Sequence, residues 1–150
     1  MNYKIRRICP QDAKDIYVLN KRLGYVSEEE KVKERIQNVL DAGSDILLVA
    51  EQENKVIGYV HGCPYNTLYA DSLMSIIVFV IQEEIDHRKE ISNALLTAFE
   101  NLAMKNGYRG IRMAADVQRE SLYRLMVENG YENKRDLKHY IKLSLIHISE

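Results

Sequence analysis

The sequence predicts an α/β domain, α+β in detail, built on one mixed and mostly antiparallel sheet of six to seven strands flanked by about four helices. Three observations carry this. The chain has 150 residues, 46% of them apolar and 29% charged, which suits one hydrophobic core and is short for two. Seven glycines and two prolines are too few for a linker array, and the apolar share is too high for a disordered chain. The apolar periodicity orders the elements as strand, helix, helix, three strands, helix, strand, helix and one or two closing strands.

Residues Tyr3 to Ile8 alternate as a strand. Pro10 followed by Gln11, Asp12 and Ala13 opens a helix to about Leu23, because proline is tolerated in a first turn and Asp12 suits the positive end of the helix dipole. Gly24-Tyr25-Val26 breaks it. Ser27 with Glu30 three residues on reads as a capping box for a second helix, whose apolar face is Val32, Ile36, Val39 and Leu40 and which Gly43 closes. Asp45 to Glu51 and Val56 to Gly62 form a hairpin around Glu53-Asn54-Lys55. Leu73 to Ile81 is apolar on both faces, which marks a central strand. Lys89 to Asn106 is the strongest helix: Ile91, Ala94, Leu95, Ala98, Phe99, Leu102 and Ala103 fall on one face, and Gly107 stops it. Gly110 to Ala115 is a short strand, Glu120 to Asn129 a helix closed by Gly130, and Tyr131 to Ile141 one or two strands. Central strand, long helix and next strand make a β-α-β crossover, so one part of the sheet is parallel and the hairpins make the rest antiparallel.

Composition also removes function classes. Twenty-one basic and 22 acidic residues leave a formal charge of -1, with no long-range field for gripping a polyanion, so nucleic acid is not expected as a partner. The longest apolar run, Met74 to Ile81, has a strand's length and falls short of the roughly 20 residues of a membrane span. Met1 to Arg7 alternates and is charged, with no apolar stretch of signal-peptide type behind it, and the expected compartment is the cytoplasm. Cys9 and Cys63 sit in no C-x-x-C and near no His at ligand spacing, so no metal site is expected and both read as small core residues. Residues 143–150, Leu-Ser-Leu-Ile-His-Ile-Ser-Glu, resemble the translation of a transposon-type sequencing adapter, which sets the expected domain at 1–142 with a non-native tail. The other reading is a genuine closing strand, since residues 139–143 alternate.

Four strings carry a resemblance. They are Ile5-Arg6-Arg7 with Pro10-Gln11-Asp12-Ala13; Leu48-Val49-Ala50-Glu51 with Val56-Ile57-Gly58-Tyr59-Val60; Asp86-His87-Arg88-Lys89-Glu90-Ile91-Ser92-Asn93-Ala94-Leu95-Leu96; and Glu128-Asn129-Gly130-Tyr131. In this order and spacing the chain resembles the GNAT superfamily of N-acetyltransferases over residues 3 to 142. The resemblance implies acetyl-CoA as donor and co-substrate, a small-molecule or protein amine as acceptor, and a monomer or homodimer. It implies a pyrophosphate loop at the start of the long helix, formed by His87, Arg88, Lys89, Glu90, Ile91, Ser92 and Asn93, with Val80 and Ile81 before it on the central strand. Such a loop offers backbone N–H groups and the positive end of a helix dipole to an anion.

Three positions depart from the family pattern. The loop usually carries glycine where this chain has Glu90, and glycine or alanine where it has Ser92. A carboxylate about 7 Å from one phosphate charge costs on the order of 2 kcal/mol at an effective dielectric of about 20, which Arg88 and Lys89 offset in part. A Cβ at Glu90 also threatens to hold the loop off the pyrophosphate, or to demand a backbone angle glutamate dislikes. Four residues before Gly130, where the family often has the tyrosine that protonates the departing thiolate, stands Met126. Tyr123 lies one helical turn away and is the substitute candidate, water being the other.

An amine must lose a proton before it attacks a thioester. Glu83 is the candidate base beyond the central strand, Glu84 facing the other way by alternation, and Asp116 at the end of the next strand is in reserve as an acceptor-side residue. Tyr25 and Tyr65 are candidate acceptor-wall residues with apolar faces and polar tips. His61 and His139 are possible bases, although a lone strand histidine is more often structural. The expected function is acetyl transfer to an amine by direct attack in a ternary complex. The alternative is a fold retained as a CoA-binding or protein-interaction module without turnover.

Overall fold

The computed structural model describes residues 2–114 and 119–145. The chain divides into two compact units, residues 1–115 and 116–150. In the first unit β1 (Tyr3–Arg7) leads through a 3-10 turn (Pro10–Asp12) into α1 (Ala13–Arg22) and α2 (Glu29–Ala42). Then follow β2 (Ile46–Gln52), β3 (Lys55–Tyr65), β4 (Leu73–Ile81), α3 (Arg88–Lys105) and β5 (Ile111–Met113). The second unit holds α4 (Glu120–Glu128).

The sheet has five strands in the order β1-β2-β3-β4-β5, with three antiparallel pairings and a parallel one between β4 and β5. The mixed character is as the sequence predicts, but the count of six to seven strands is too high. The closing strands expected in 131–141 are missing: residues 131–145 form no regular element, and all but Tyr131 are exposed. Glu132 to Asp136 is an unbroken polar run, so the segment's alternation has no apolar face to bury and gains nothing from a ladder.

Helices cover both faces of the sheet. On one, α1 packs on β3, with α2 beside α1, over a core of Ile8, Ile16, Leu19, Val32, Ile36, Val49, Tyr59 and Val80. Tyr59 donates its hydroxyl to Asn20 of α1 and fixes that helix on the strand. On the other face α3 crosses β1 to β4. Its Ile91, Leu95, Leu96 and Phe99 have no exposed surface, and each such side chain contributes about 1.5–3 kcal/mol when buried. Gly62 of β3 admits the Phe99 ring, since a Cβ there would overlap it.

Two local expectations change. Ser27 does not cap α2: the N-cap is Glu28, without a side-chain cap bond, and the Ser27 hydroxyl accepts from Arg35 at 3.0 Å. Asp12 does more than sit in a dipole. It is buried, takes the Arg6 fork at 2.8 and 2.9 Å, and accepts the Cys9 N–H at 2.9 Å, stapling the turn to β1. Among the described residues no helix is long and apolar enough to cross a membrane.

Candidate functional site

The central strand runs from Leu73 to Ile81 as expected but is kinked within that length. His61 pairs with Val78 and Gly62 with Ile76, so Ile77 is an extra residue on β4 with no β3 partner, which is a bulge. Pairing with β5 stops at the same point, at Ile76 opposite Met113. Ile77 is 52% exposed, against the expectation of a strand apolar and covered throughout. From Ile77 to Ile81 the edge of β4 turned away from β3 has no strand partner among the described residues. That edge is about 16 Å long at the usual rise per residue, and it leads through the turn at residues 82–87 to the start of α3.

The N-terminus of α3 is shaped by His87, whose φ of 61° and ψ of 28° place a non-glycine residue in the left-handed region. Helix bonding begins with Ile91 N–H donating to His87 O at 3.0 Å, so the amides of the first turn, from Arg88 onward, project from the helix end. The Nε of Arg88 is buried and has no hydrogen-bond partner. A buried guanidinium N–H beside first-turn amides is a donor set suited to a phosphate. The strained backbone expected at Glu90 falls instead on His87: Glu90 is helical and exposed, and only its charge and Cβ remain as departures. Val80, Ile81 and Ile91 place their side chains in the core, so only their backbone is positioned for a ligand. Ser92 is buried and Asn93 half-buried, whereas Lys89 is exposed.

Glu83 lies exposed in the turn after β4. Its neighbour Glu84 accepts from Arg22 at 2.8 Å, which anchors that turn to the end of α1 and holds the Glu84 carboxyl below its ordinary range. Tyr25 is exposed in the turn after α1, whereas Tyr65 is half-buried at the end of β3. No hydrogen bond or ring contact joins them among the described residues. Asp116 lies outside the described residues. In the second unit Met126 is buried and Tyr123, one turn before it, is half-exposed.

On the sheet face opposite α3, next to the bulge, sits a polar group of which sequence reasoning named only His61 and Tyr65 as site candidates, and neither with its partners. Asp45 Oδ2 is 2.8 Å from His61 Nε2, so this histidine has a carboxylate orienting it. Arg112 of β5 lies 4.2 Å over the Tyr65 ring and donates to the buried Ser75 hydroxyl at 3.1 Å. Cys63 lies between: burial and the Asp45 charge push its thiol up, and Arg112 opposes them. Alternation along Ile111-Arg112-Met113 was a usable signal that Arg112 faces away from its neighbours. Nothing local pairs it with residues 37 and 47 positions earlier.

The family description "Acetyltransferase (GNAT) domain" matches residues 5–148. No curated protein matches the sequence significantly. Among solved structures, a GNAT family acetyltransferase of Staphylococcus aureus is 22% identical with a TM-score of 0.75, covering 94% of this chain and 100% of its own. Glucosamine-6-phosphate N-acetyltransferase from Arabidopsis thaliana is 14% identical with a TM-score of 0.79, covering 96% and 100%. The aminoglycoside N-acetyltransferase AAC(6')-Iy in complex with CoA is 14% identical with a TM-score of 0.80, covering 95% and 96%. At these identities the structures speak for the fold, and the family match over nearly the whole length completes the case: the chain belongs to the GNAT acetyltransferase family.

Proposed function

We propose that the protein is an N-acetyltransferase that moves the acetyl group of acetyl-CoA to a primary amine of a small molecule or protein, both substrates being bound at once and residues 1–142 acting as one catalytic domain. The observation that carries this reading is the β4 edge from the Ile77 bulge to Ile81, which has no strand partner among the described residues and leads through the following turn to the start of α3. An extended chain of amides lies along such an edge by the hydrogen bonding that adds a strand to a sheet. The buried Arg88 Nε and the first-turn amides then receive a phosphate at its far end.

Acetyl-CoA supplies an acyl carbon activated as a thioester: the amine nitrogen bonds to it, the C–S bond breaks, and the electron pair leaves with sulfur. The chain's part is to hold and move protons. Glu83, at the mouth of the β4 edge, is the candidate to take the proton of the ammonium, through water. Tyr123 is the candidate to protonate the thiolate, a role that comes from the family pattern around Met126. Small-molecule acceptors are favoured because neighbours named for aminoglycosides and for glucosamine-6-phosphate share the fold.

The reading is tested by acetyl-CoA titration followed by thiol release over an amine panel. Amine-dependent thiol release establishes transfer. Tight donor binding with no release for any amine supports instead a CoA-binding module without turnover, the reading that Glu90 and Met126 favour. Tyr123→Phe is expected to lower turnover by about 10²-fold with donor affinity unchanged, because the developing thiolate exists only in the transition state. An unaltered rate per folded molecule removes Tyr123 as the acid.

A further inference from the structure

The cation of Arg112 is the unusual member of the polar group beside the bulge. It is half-buried on the sheet, one flat side lies on Tyr65, and its hydrogen bond goes to a neutral hydroxyl. Among the described residues no carboxylate forms an ion pair with it, and the nearby Asp45 is engaged by His61 at 2.8 Å. One of five N–H donors is thereby used, leaving an edge of the guanidinium able to take an oxyanion in a two-pronged bond.

Position gives that edge its meaning. Arg112 is opposite Ser75, two residues before the bulge at Ile77, so about 7 Å of strand separates it from the bulge. His61, opposite Val78, flanks the bulge from β3 on the same face, with Asp45 behind it. One end of this face is therefore cationic and the other carries a carboxylate with a histidine.

We propose that the acceptor is an amine that also bears a carboxylate or phosphate about 7 Å from its nitrogen, the oxyanion being received by Arg112 and the amine lying toward His61 and Asp45 at the bulge. This rests on the acetyltransferase reading and names its substrate class. Tyr65, by stacking under the guanidinium, is a positioning residue for the oxyanion.

The test uses the full chain with acetyl-CoA and matched acceptors: 5-aminopentanoate against its amide, and O-phosphoethanolamine against ethanolamine. The anionic member of a pair is expected to have at least a tenfold higher kcat/KM. Arg112→Gln is expected to reduce that ratio to near one, chiefly through KM, with Arg112→Lys intermediate. A merely structural Arg112 would instead lower both members equally, and that result overturns the proposal. So does equal or better transfer to the neutral members, or transfer to none of the four while acetyl-CoA still binds. Absence of acetyl-CoA binding is a different failure, since it overturns the acetyltransferase reading itself. Calorimetric binding of 5-aminopentanoate to the CoA-loaded protein, lost in Arg112→Gln at an unchanged melting temperature, supports the proposal without recourse to turnover.

Discussion

The Asp12 carboxylate accepts from Arg6 of β1 and from Cys9 at the head of the turn, and Arg6 carries the link on to β2 by donating to Glu51 at 3.0 Å. Burial opposes its ionisation, but the Arg6 fork and the Cys9 N–H outweigh burial and hold its pKa below the ordinary 3.8. A depressed carboxyl contributes stability that is full above its unfolded value and is lost as the pH falls through the folded one. Asp12→Asn is expected to cost about 2 kcal/mol at pH 7, less than a fully buried pair because the Arg6 side chain is 28% exposed. The gap to the parent should narrow below pH 4, where the parent's own carboxyl begins to protonate. Urea unfolding at pH 7 and pH 3 checks both the size and the trend. Asp12 was legible in the sequence as a first-turn acid, but its partner was not, because nothing in Ile5-Arg6-Arg7 says which arginine turns inward.

At the scale of elements, two helix-strand relations set the site. In the first, β3 and α3 approach closely because Gly62 has no side chain where Phe99 lies. Gly62→Ala is expected to destabilise by about 1–3 kcal/mol through overpacking, and Phe99→Leu in the same chain should recover part of that loss. Denaturant midpoints of the single and double variants decide it; additive losses would mean that the two residues do not compete for one space. In the second, the start of α3 carries Glu90 in a helical backbone beside the amides that the proposed function gives to phosphate. Glu90→Gly is expected to tighten CoA binding roughly tenfold, about 1.4 kcal/mol, with a gain that shrinks in high salt. An unchanged dissociation constant would place the carboxylate away from the anion. The extent of α3 could be read almost to the residue from its apolar stripe. The left-handed His87 that turns the chain into it could not, since a positive φ is uncommon in any non-glycine residue and histidine's enrichment there is too weak to mark one position.

For the molecule as a whole, a donor that binds only the folded state raises its stability by mass action, so millimolar acetyl-CoA should lift the melting temperature by several degrees. A flat titration would count against every CoA-dependent reading at once. The sequence by itself determined the order of elements from β1 to α4 and the β-α-β crossover, because the periods of helix and strand and the turn glycines are local properties that survive without knowing the neighbours, and it indicated the family through the resemblance of four strings. Gly43 and Gly107 adopt the positive φ that their positions imply. The tertiary structure alone decided the rest, in each instance through a partner distant in sequence. The closing alternation at 131–141 makes no strand, because a strand needs an edge and a face to bury. The Ile77 bulge exists only as a register between β3 and β4, and the β4 edge without a partner among the described residues only as the point where β5 stops pairing. His61 ceases to be a lone histidine when β2 brings Asp45 beside it, and Arg112 meets Tyr65 and Ser75 only because the crossover lays β5 against β4. Registers and ion pairs are properties of two segments together, and one-dimensional periodicity carries no term for the second segment.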